Sequence, residues 1–345
     1  MKYTTLPNTN IKISKICLGT MTFGEQNTEK QGHAQLDFAI ERGVNFVDTA
    51  EMYPVPGRKE TQGSTEKIIG SWIAKGNRDK IVLATKIVGP SAGMPYIRDN
   101  MNFSKEAIHD AIEKSLKRLQ TDYVDLYQLH WPERKTNCFG IRNYRHFDEE
   151  QWQENFSEVV ETLNNLMKEG KIRHYGLSNE TPYGILSYLE KAKEKGLAQP
   201  ITIQNPYNLL NRTFEIGNAE ISIKKNVGLL AYSPLAFAHL TGKFLNGKKH
   251  ANSRVALFPQ MDRYNSPEVD NAVRKYAEVA KKHNLSLTEM SLAFINQQPF
   301  LTSNIIGATN LAQLEENIDS IRITLTKEVI KDIEKVFKTQ PNPAP

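Results

Sequence analysis

The sequence predicts an α/β fold, a closed (β/α)8 TIM barrel carrying an N-terminal β-hairpin, extra helices and long loops on its C-terminal face. Three observations predict it. Short β-branched runs alternate strictly with helix-period segments, and such alternation means parallel strands. The alternation gives eight units in 345 residues, somewhat above the ~250 residues typical of this fold. No G-x-G-x-x-G spacing follows the early runs "KICLGT" or "VNFVDT", as an open doubly wound sheet would usually show. One domain over residues 1–345 is expected.

The first segment, "YTTLPNTNIKIS", places turn residues between two short β-like runs and reads as a hairpin closing the barrel floor. The eight strands are predicted to end near Gly19, Asp48, Lys86, His130, Ser178, Gln204, Ser233 and Gly307. Between them lie helices with recognisable ends. "SKEAIHDAIEKSLKRL" carries Ile108, Ile112, Leu116 and Leu119 on one face, with Ser104 as N-cap. "TPYGILSYLEKAKEKG" has Pro182 at its first position and stops at Gly196. "SLTEMSLAFINQQ" opens with a capping box of Ser286 and Glu289. "TLTKEVIKDIEKVF" reads as an extra helix and "QPNPAP" as a tail. Long stretches at 89–102, 131–152 and 235–266 follow strand ends, the side on which barrels build their sites.

Composition narrows the classes of function. With 39% hydrophobic and 24% charged residues the chain reads as globular. Forty-four basic against 39 acidic residues give +5, but no basic run exceeds the pairs Lys224-Lys225, Lys248-Lys249 and Lys281-Lys282. A nucleic-acid footprint would be clustered, so none is expected. Cys17 and Cys138 cannot build a disulfide framework or a zinc cage, no His/Asp/Glu cluster has metal-ligand spacing, and no apolar run can span a bilayer. A cytoplasmic protein without a metal is expected, its oligomeric state unspecified.

Three polar residues close successive strands: Asp48, Lys86 and His130. Inside a barrel such groups cost several kcal/mol unless paired, whereas at the C-terminal rim they face ligand. Each shares strand parity with apolar residues before it, so all three project to one mouth. Tyr53 follows just past the first. A phenol is a poor acid at neutral pH, but the Lys86 ammonium favours the phenolate, and Asp48 compensates and orients the lysine. His130 can donate to a substrate oxygen that gains negative charge. A carbonyl receiving a hydride is such a group, and none of these side chains supplies a hydride, which points to a reduced nicotinamide.

The motifs "LGTMTFGEQN", "DTAEMYPVP", "SLKRLQTDYVDLYQLHWP", "GKIRHYGLSN", "IQNPYNLLNR", "AYSPLAFAHLTGKF" and "IIGATNLAQLEENI" span residues 18–318 in order. On these the chain resembles the aldo-keto reductases, most closely a bacterial branch of them. The resemblance implies NADPH-dependent reduction of aldehydes or ketones, with Asp48, Tyr53, Lys86 and His130 as the catalytic tetrad and Tyr53 as proton donor.

The resemblance also implies a cofactor site. Ser178, Asn179 and Gln204 would hold the nicotinamide carboxamide and Tyr232 would stack on the ring. Gly19, Thr20, Met21, Gln26 and Asp48 would line it from the first two strands. Ser233, Leu235, Lys243 and Arg254 would meet the pyrophosphate region. Gly307 and the helix start after it would cradle an anion through free N–H groups, with Thr309 and Gln313 near the adenosine phosphate and Glu316 and Asn317 on the adenine. Other branches often carry lysine and arginine where Gly307 and Gln313 stand, so the resemblance leaves room for NADH beside NADPH. Met21, Tyr53, His130 and Trp131 are expected to face a small-molecule carbonyl substrate. The charges of Arg134, Arg142 and Arg145 in the insert after His130 suggest anionic or polar carbonyls. A nicotinamide-sensing subunit resembling the β subunits of potassium channels is the alternative function.

Overall fold

The chain opens with an antiparallel hairpin, β1 (Tyr3–Thr5) and β2 (Lys12–Ser14). Eight strands follow: β3 (Ile16–Gly19), β4 (Phe46–Asp48), β5 (Val82–Ile87), β6 (Val124–Leu129), β7 (Ile172–Ser178), β8 (Thr202–Pro206), β9 (Gly228–Tyr232) and β10 (Leu301–Ile306). In this computed structural model they are parallel throughout and close in sequence order, β10 pairing with both β3 and β9. The structure describes residues 1–91, 93–141, 143–146, 149–247, 250–251, 253–258 and 261–344.

Helices cover the outside: α1 (Glu29–Glu41), α2 (Ser64–Ile73), α3 (Lys105–Leu119), α4 (Phe156–Lys168), α5 (Pro182–Glu194) and α6 (Asn218–Lys224), each after one strand. Then come α7 (Arg254–Leu257), α8 (Pro267–Lys282) and α9 (Leu287–Asn296), followed after β10 by α10 (Leu311–Asp319) and α11 (Lys327–Thr339). Their ends follow local chemistry. Ser104 accepts from the Ala107 N–H at 3.3 Å to cap α3, and Ser286 and Glu289 form both halves of the predicted capping box. The helix α5 starts on Pro182 and runs out before Gly196, whose φ of +63° suits glycine.

The barrel interior is filled in layers. Cys17, Phe46, Ala84, Leu126, Ile201, Leu230 and Ile305 form one apolar cluster, and Leu6 and Ile13 of the hairpin join it as the expected floor. Because side chains alternate, the residue two beyond Phe46, Ala84 and Leu126 also points inward. Those residues are Asp48, Lys86 and Gln128, all buried. The apolar layer thus gives way to a polar one toward the C-terminal rim.

The expected extra helices are present: α7 and α8 precede α9 between β9 and β10, and α8 packs against α11. One expectation needs correction. The segment "QPNPAP" is no free tail. Asn342 accepts from the Arg212 N–H at 2.6 Å, and the Ala344 N–H donates to the Leu210 carbonyl at 3.1 Å, leaving Ala344 buried.

Candidate active site

At the barrel mouth the Lys86 ammonium donates to Asp48 Oδ2 at 2.5 Å and to the Thr49 carbonyl at 2.7 Å. The other carboxylate oxygen, Oδ1, accepts from Gln128 Nε2 at 3.1 Å and Gln204 Nε2 at 2.9 Å. Asp48 and Lys86 are both sealed from solvent. Lys86 Nζ lies 4.9 Å from the centre of the Tyr53 ring, and the Tyr53 and His130 rings meet edge to face at 5.8 Å. The structure therefore brings Asp48, Tyr53, Lys86 and His130 together, as the strand-end reading expects.

The electrostatics refine that reading. Burial pulls the Lys86 pKa down, but Asp48 and Tyr53 outweigh it and leave it above the ordinary lysine value. For Tyr53 the expected net acidification does not appear. Burial of the phenol pushes its pKa up more than Lys86 pulls it down, and Asp48 adds to the rise. Burial, then repulsion from Lys86, holds the His130 imidazole well below its usual value, so it is neutral. Its Nδ1 is buried without a hydrogen-bond partner.

Beside this cluster the polar side chains of β7 and β8 interlock. Ser178 Oγ donates to the Gln204 carbonyl at 2.9 Å, and Asn179 Nδ2 donates to the His130 carbonyl at 2.8 Å and to Ser178 Oγ at 3.0 Å. Tyr232 donates its hydroxyl to Asn179 Oδ1 at 2.6 Å. Gln204 Nε2 serves Asp48 and also Gln128 Oε1, at 3.1 Å. With these amide donors committed, what the cluster offers a ligand is chiefly acceptor oxygen, suited to an amide NH2. Thr20 spends its hydroxyl on the Asp48 carbonyl at 2.9 Å, while Gln26 Oε1 is buried and unpartnered.

The stretch after β9 brings cations to the same mouth. Ala236, Phe237 and Ala238 have φ of 48°, 51° and 73°, and Arg254 lies over the Phe237 ring at 5.5 Å. Burial pushes the Arg254 pKa down to about 10, with only Tyr53 acting against the fall. Burial and then Arg254 itself lower Lys243. No carboxylate among the described residues compensates either one. Two partly buried, mutually repelling cations make a site that an anion would stabilise.

At the end of β10 the helix start is less open than expected. The Thr309 N–H and hydroxyl both donate to Gln313 Oε1, and the Gln313 N–H donates to Asn310 Oδ1. Two of the N–H groups that would cradle an anion are thus capped by side chains. Asn317 Nδ2 donates to the Gly307 carbonyl at 3.2 Å, and Glu316 accepts from Ser286 at 3.4 Å.

Comparison with known proteins decides what kind of barrel this is. A sequence model of the Aldo/keto reductase family matches residues 15–338. The chain belongs to the aldo/keto reductase family. It is 46% identical to Protein tas of Escherichia coli over the full length of both chains. It is 32% identical to the uncharacterized oxidoreductase YrpG of Bacillus subtilis, covering 98% of this chain and 96% of that one. A probable voltage-gated potassium channel subunit beta of Oryza sativa is 29% identical over 99% and 98%. This places the chain among oxidoreductases of a family that generally works with nicotinamide cofactors.

For an aldo/keto reductase chain the remaining features are at the mouth. Trp131 packs beside His130, its ring centre 4.9 Å away, and donates Nε1 to the Pro90 carbonyl at 3.1 Å. Gly89 permits this, since a Cβ there would stand 2.6 Å from the indole. Phe139 of the insert meets Trp131 at 5.6 Å, and Arg263 of the stretch after β9 lies 5.7 Å from the Phe139 ring. The insert therefore bridges two rim loops. Arg134 is not free to recruit a substrate: both its Nη atoms bind the Glu180 carboxylate, at 2.8 and 2.6 Å. Arg142 lies outside the described residues, and Arg145 is exposed. Sequence reading missed Gln128, although it shares the inward parity of Leu126 and His130. It also missed Glu51, Arg98 and Arg263, whose partners are distant in the chain and leave no local pattern.

Proposed function

We propose that this protein reduces the carbonyl of a small aldehyde or ketone to an alcohol, with Tyr53 as proton donor and NADPH as the preferred cofactor. The observation that carries this reading is the sealed Asp48–Lys86 pair with its ammonium against the Tyr53 ring. The chain's residues suit the cofactor: acceptor oxygens at Asn179 and Gln204 for the carboxamide, and Lys243 with Arg254 as uncompensated cations for its phosphates. Ser178, Tyr232, Ser233 and Leu235 complete the nicotinamide end with Gly19, Thr20, Met21 and Gln26. Gly307, Thr309, Gln313, Glu316 and Asn317 form the adenosine end. When bound, the reduced nicotinamide supplies the hydride that the carbonyl carbon accepts.

The protein's own part is the proton and the field. Tyr53 transfers its phenolic proton to the carbonyl oxygen as negative charge develops there, and Lys86 stabilises the phenolate left behind. Asp48 keeps the lysine oriented and neutralises it in a site where a lone ammonium would be costly. The neutral His130 points a polar ring edge toward the same oxygen without adding a second positive charge. Met21 and Trp131 give the substrate an apolar wall.

Mixing the protein with NADPH and 4-nitrobenzaldehyde tests the reading through loss of cofactor absorbance. Tyr53→Phe should lower kcat by about 100-fold or more while cofactor affinity holds. Tight cofactor binding with no turnover of any carbonyl would instead favour the sensing role suggested by the name of the Oryza sativa relative.

A further inference from the structure

We propose that Glu51 and Arg98 are positioning residues for this reduction: their buried ion pair holds the Tyr53 segment in register with the strand that carries Lys86. The inference rests on the reductase reading above and adds to it a device that lies outside the tetrad.

Pairing between β4 and β5 continues past the end of β4. The Thr49 N–H donates to the Ala84 carbonyl at 2.9 Å, and the Glu51 N–H to the Lys86 carbonyl at 3.2 Å. Beyond that point the chain must leave the sheet to reach Tyr53, and the ladder would stop. There the Glu51 side chain takes over, its Oε1 accepting from the Val88 N–H at 2.7 Å. Arg98 closes the other side. It pairs with the same carboxylate oxygen, donates Nη2 to the Val88 carbonyl at 2.7 Å and ties its own loop with Nε to the Asn100 carbonyl at 2.8 Å. Gln62 holds the Glu51 carbonyl at 2.6 Å, and the Gly63 N–H holds the Tyr53 carbonyl at 2.9 Å.

Glu51 and Arg98 are each only 2% exposed. A buried ion pair contributes little net stability compared with apolar residues of the same volume, so packing alone gives no reason for charge here. What the pair does, contact by contact, is fasten Glu51, two residues before Tyr53, to Val88, two residues after Lys86. A misplacement of about 1 Å between reacting groups can cost on the order of 100-fold in rate. Arg98 also anchors the 89–102 loop, whose Ile97 packs with Val88 and Trp131 beside Met52, Met94 and Met101. One clamp thereby sets both the proton donor and the apolar wall.

The test compares Glu51→Gln and Arg98→Lys with Arg212→Lys, which disturbs a partly buried ion-pair cluster with Glu215 and Glu334 away from the tetrad. Steady-state kinetics, NADPH affinity and the titration of Cζ-labelled Tyr53 by carbon NMR are measured, the resonance being assigned by its loss in Tyr53→Phe. In the two clamp variants kcat should fall by about tenfold to a hundredfold. KM for the aldehyde and Kd for NADPH should stay within about threefold. The Tyr53 resonance should titrate at higher pH than in the wild type, because Lys86 no longer lies as close. Arg212→Lys should lower Tm and leave kcat and the titration unchanged. Clamp variants that keep wild-type kcat and titration overturn the proposal, as does an equal fall in Arg212→Lys. Failure of both clamp variants to fold assigns the pair to stability and also overturns it. If the wild type reduces no carbonyl, the reductase reading has failed, and the Tyr53 titration alone decides for or against the clamp.

Discussion

Tyr53 is kept protonated by its surroundings as much as it is prepared to lose its proton. Burial outweighs the Lys86 ammonium and sets the phenol above its ordinary value of about 10. The acid form therefore persists through the neutral range, and in the proposed reaction Lys86 would act by stabilising the phenolate when transfer occurs. Carbonyl reduction should accordingly show no loss from this group between about pH 6 and about pH 9, and should fall only as pH rises through the folded phenol's value. His130 titrates in the opposite sense. Its folded pKa lies well below the unfolded value of about 6.5, so on acidification the unfolded chain takes up the proton first. Stability from the neutral imidazole is then fully present above about pH 6.5 and is lost as pH falls through the folded value. Urea midpoints measured at neutral and acid pH should show this loss, and His130→Gln should reduce it.

At the scale of the elements, the sequence made visible what is decided locally. Six of the eight strand ends were legible as β-branched runs finishing on a polar residue, as at Asp48 and Lys86, where the interior layer changes from Phe46 and Ala84 to charge; the other two finish on Gly19 and Gly307. Helix starts were legible where a side chain caps them. Ser104→Ala removes the bond to the Ala107 N–H and should cost about 1 kcal/mol, seen as a lower urea midpoint with kcat retained. The region after β9 was not legible. Its short turns at 236–241 and 245–247 and the single turn of α7 are held by rings and cations many residues further along the same stretch, such as Tyr264 and Arg254 on Phe237. Arg134 was misjudged for the same reason, because its partner Glu180 arrives from the next strand's end.

For the molecule as a whole, closure of the sheet leaves no unpaired edge among the eight strands. The hairpin plugs one end, and no described helix is long and apolar enough to cross a membrane. The C-terminal strap fastens the shell beside β8, through Asn342 and Ala344 onto Arg212 and Leu210. Removing residues 340–345 should lower Tm by a few degrees in calorimetry, with kcat for 4-nitrobenzaldehyde preserved, because those contacts do not reach the tetrad. The run Ala236, Phe237 and Ala238 behaves differently from this well-fastened shell. Each of the three bears a side chain at positive φ, a conformation that costs on the order of 1 kcal/mol apiece. In the proposed function the phosphates of a dinucleotide would meet this sprung stretch, beside the two uncompensated cations, and not the staves behind it.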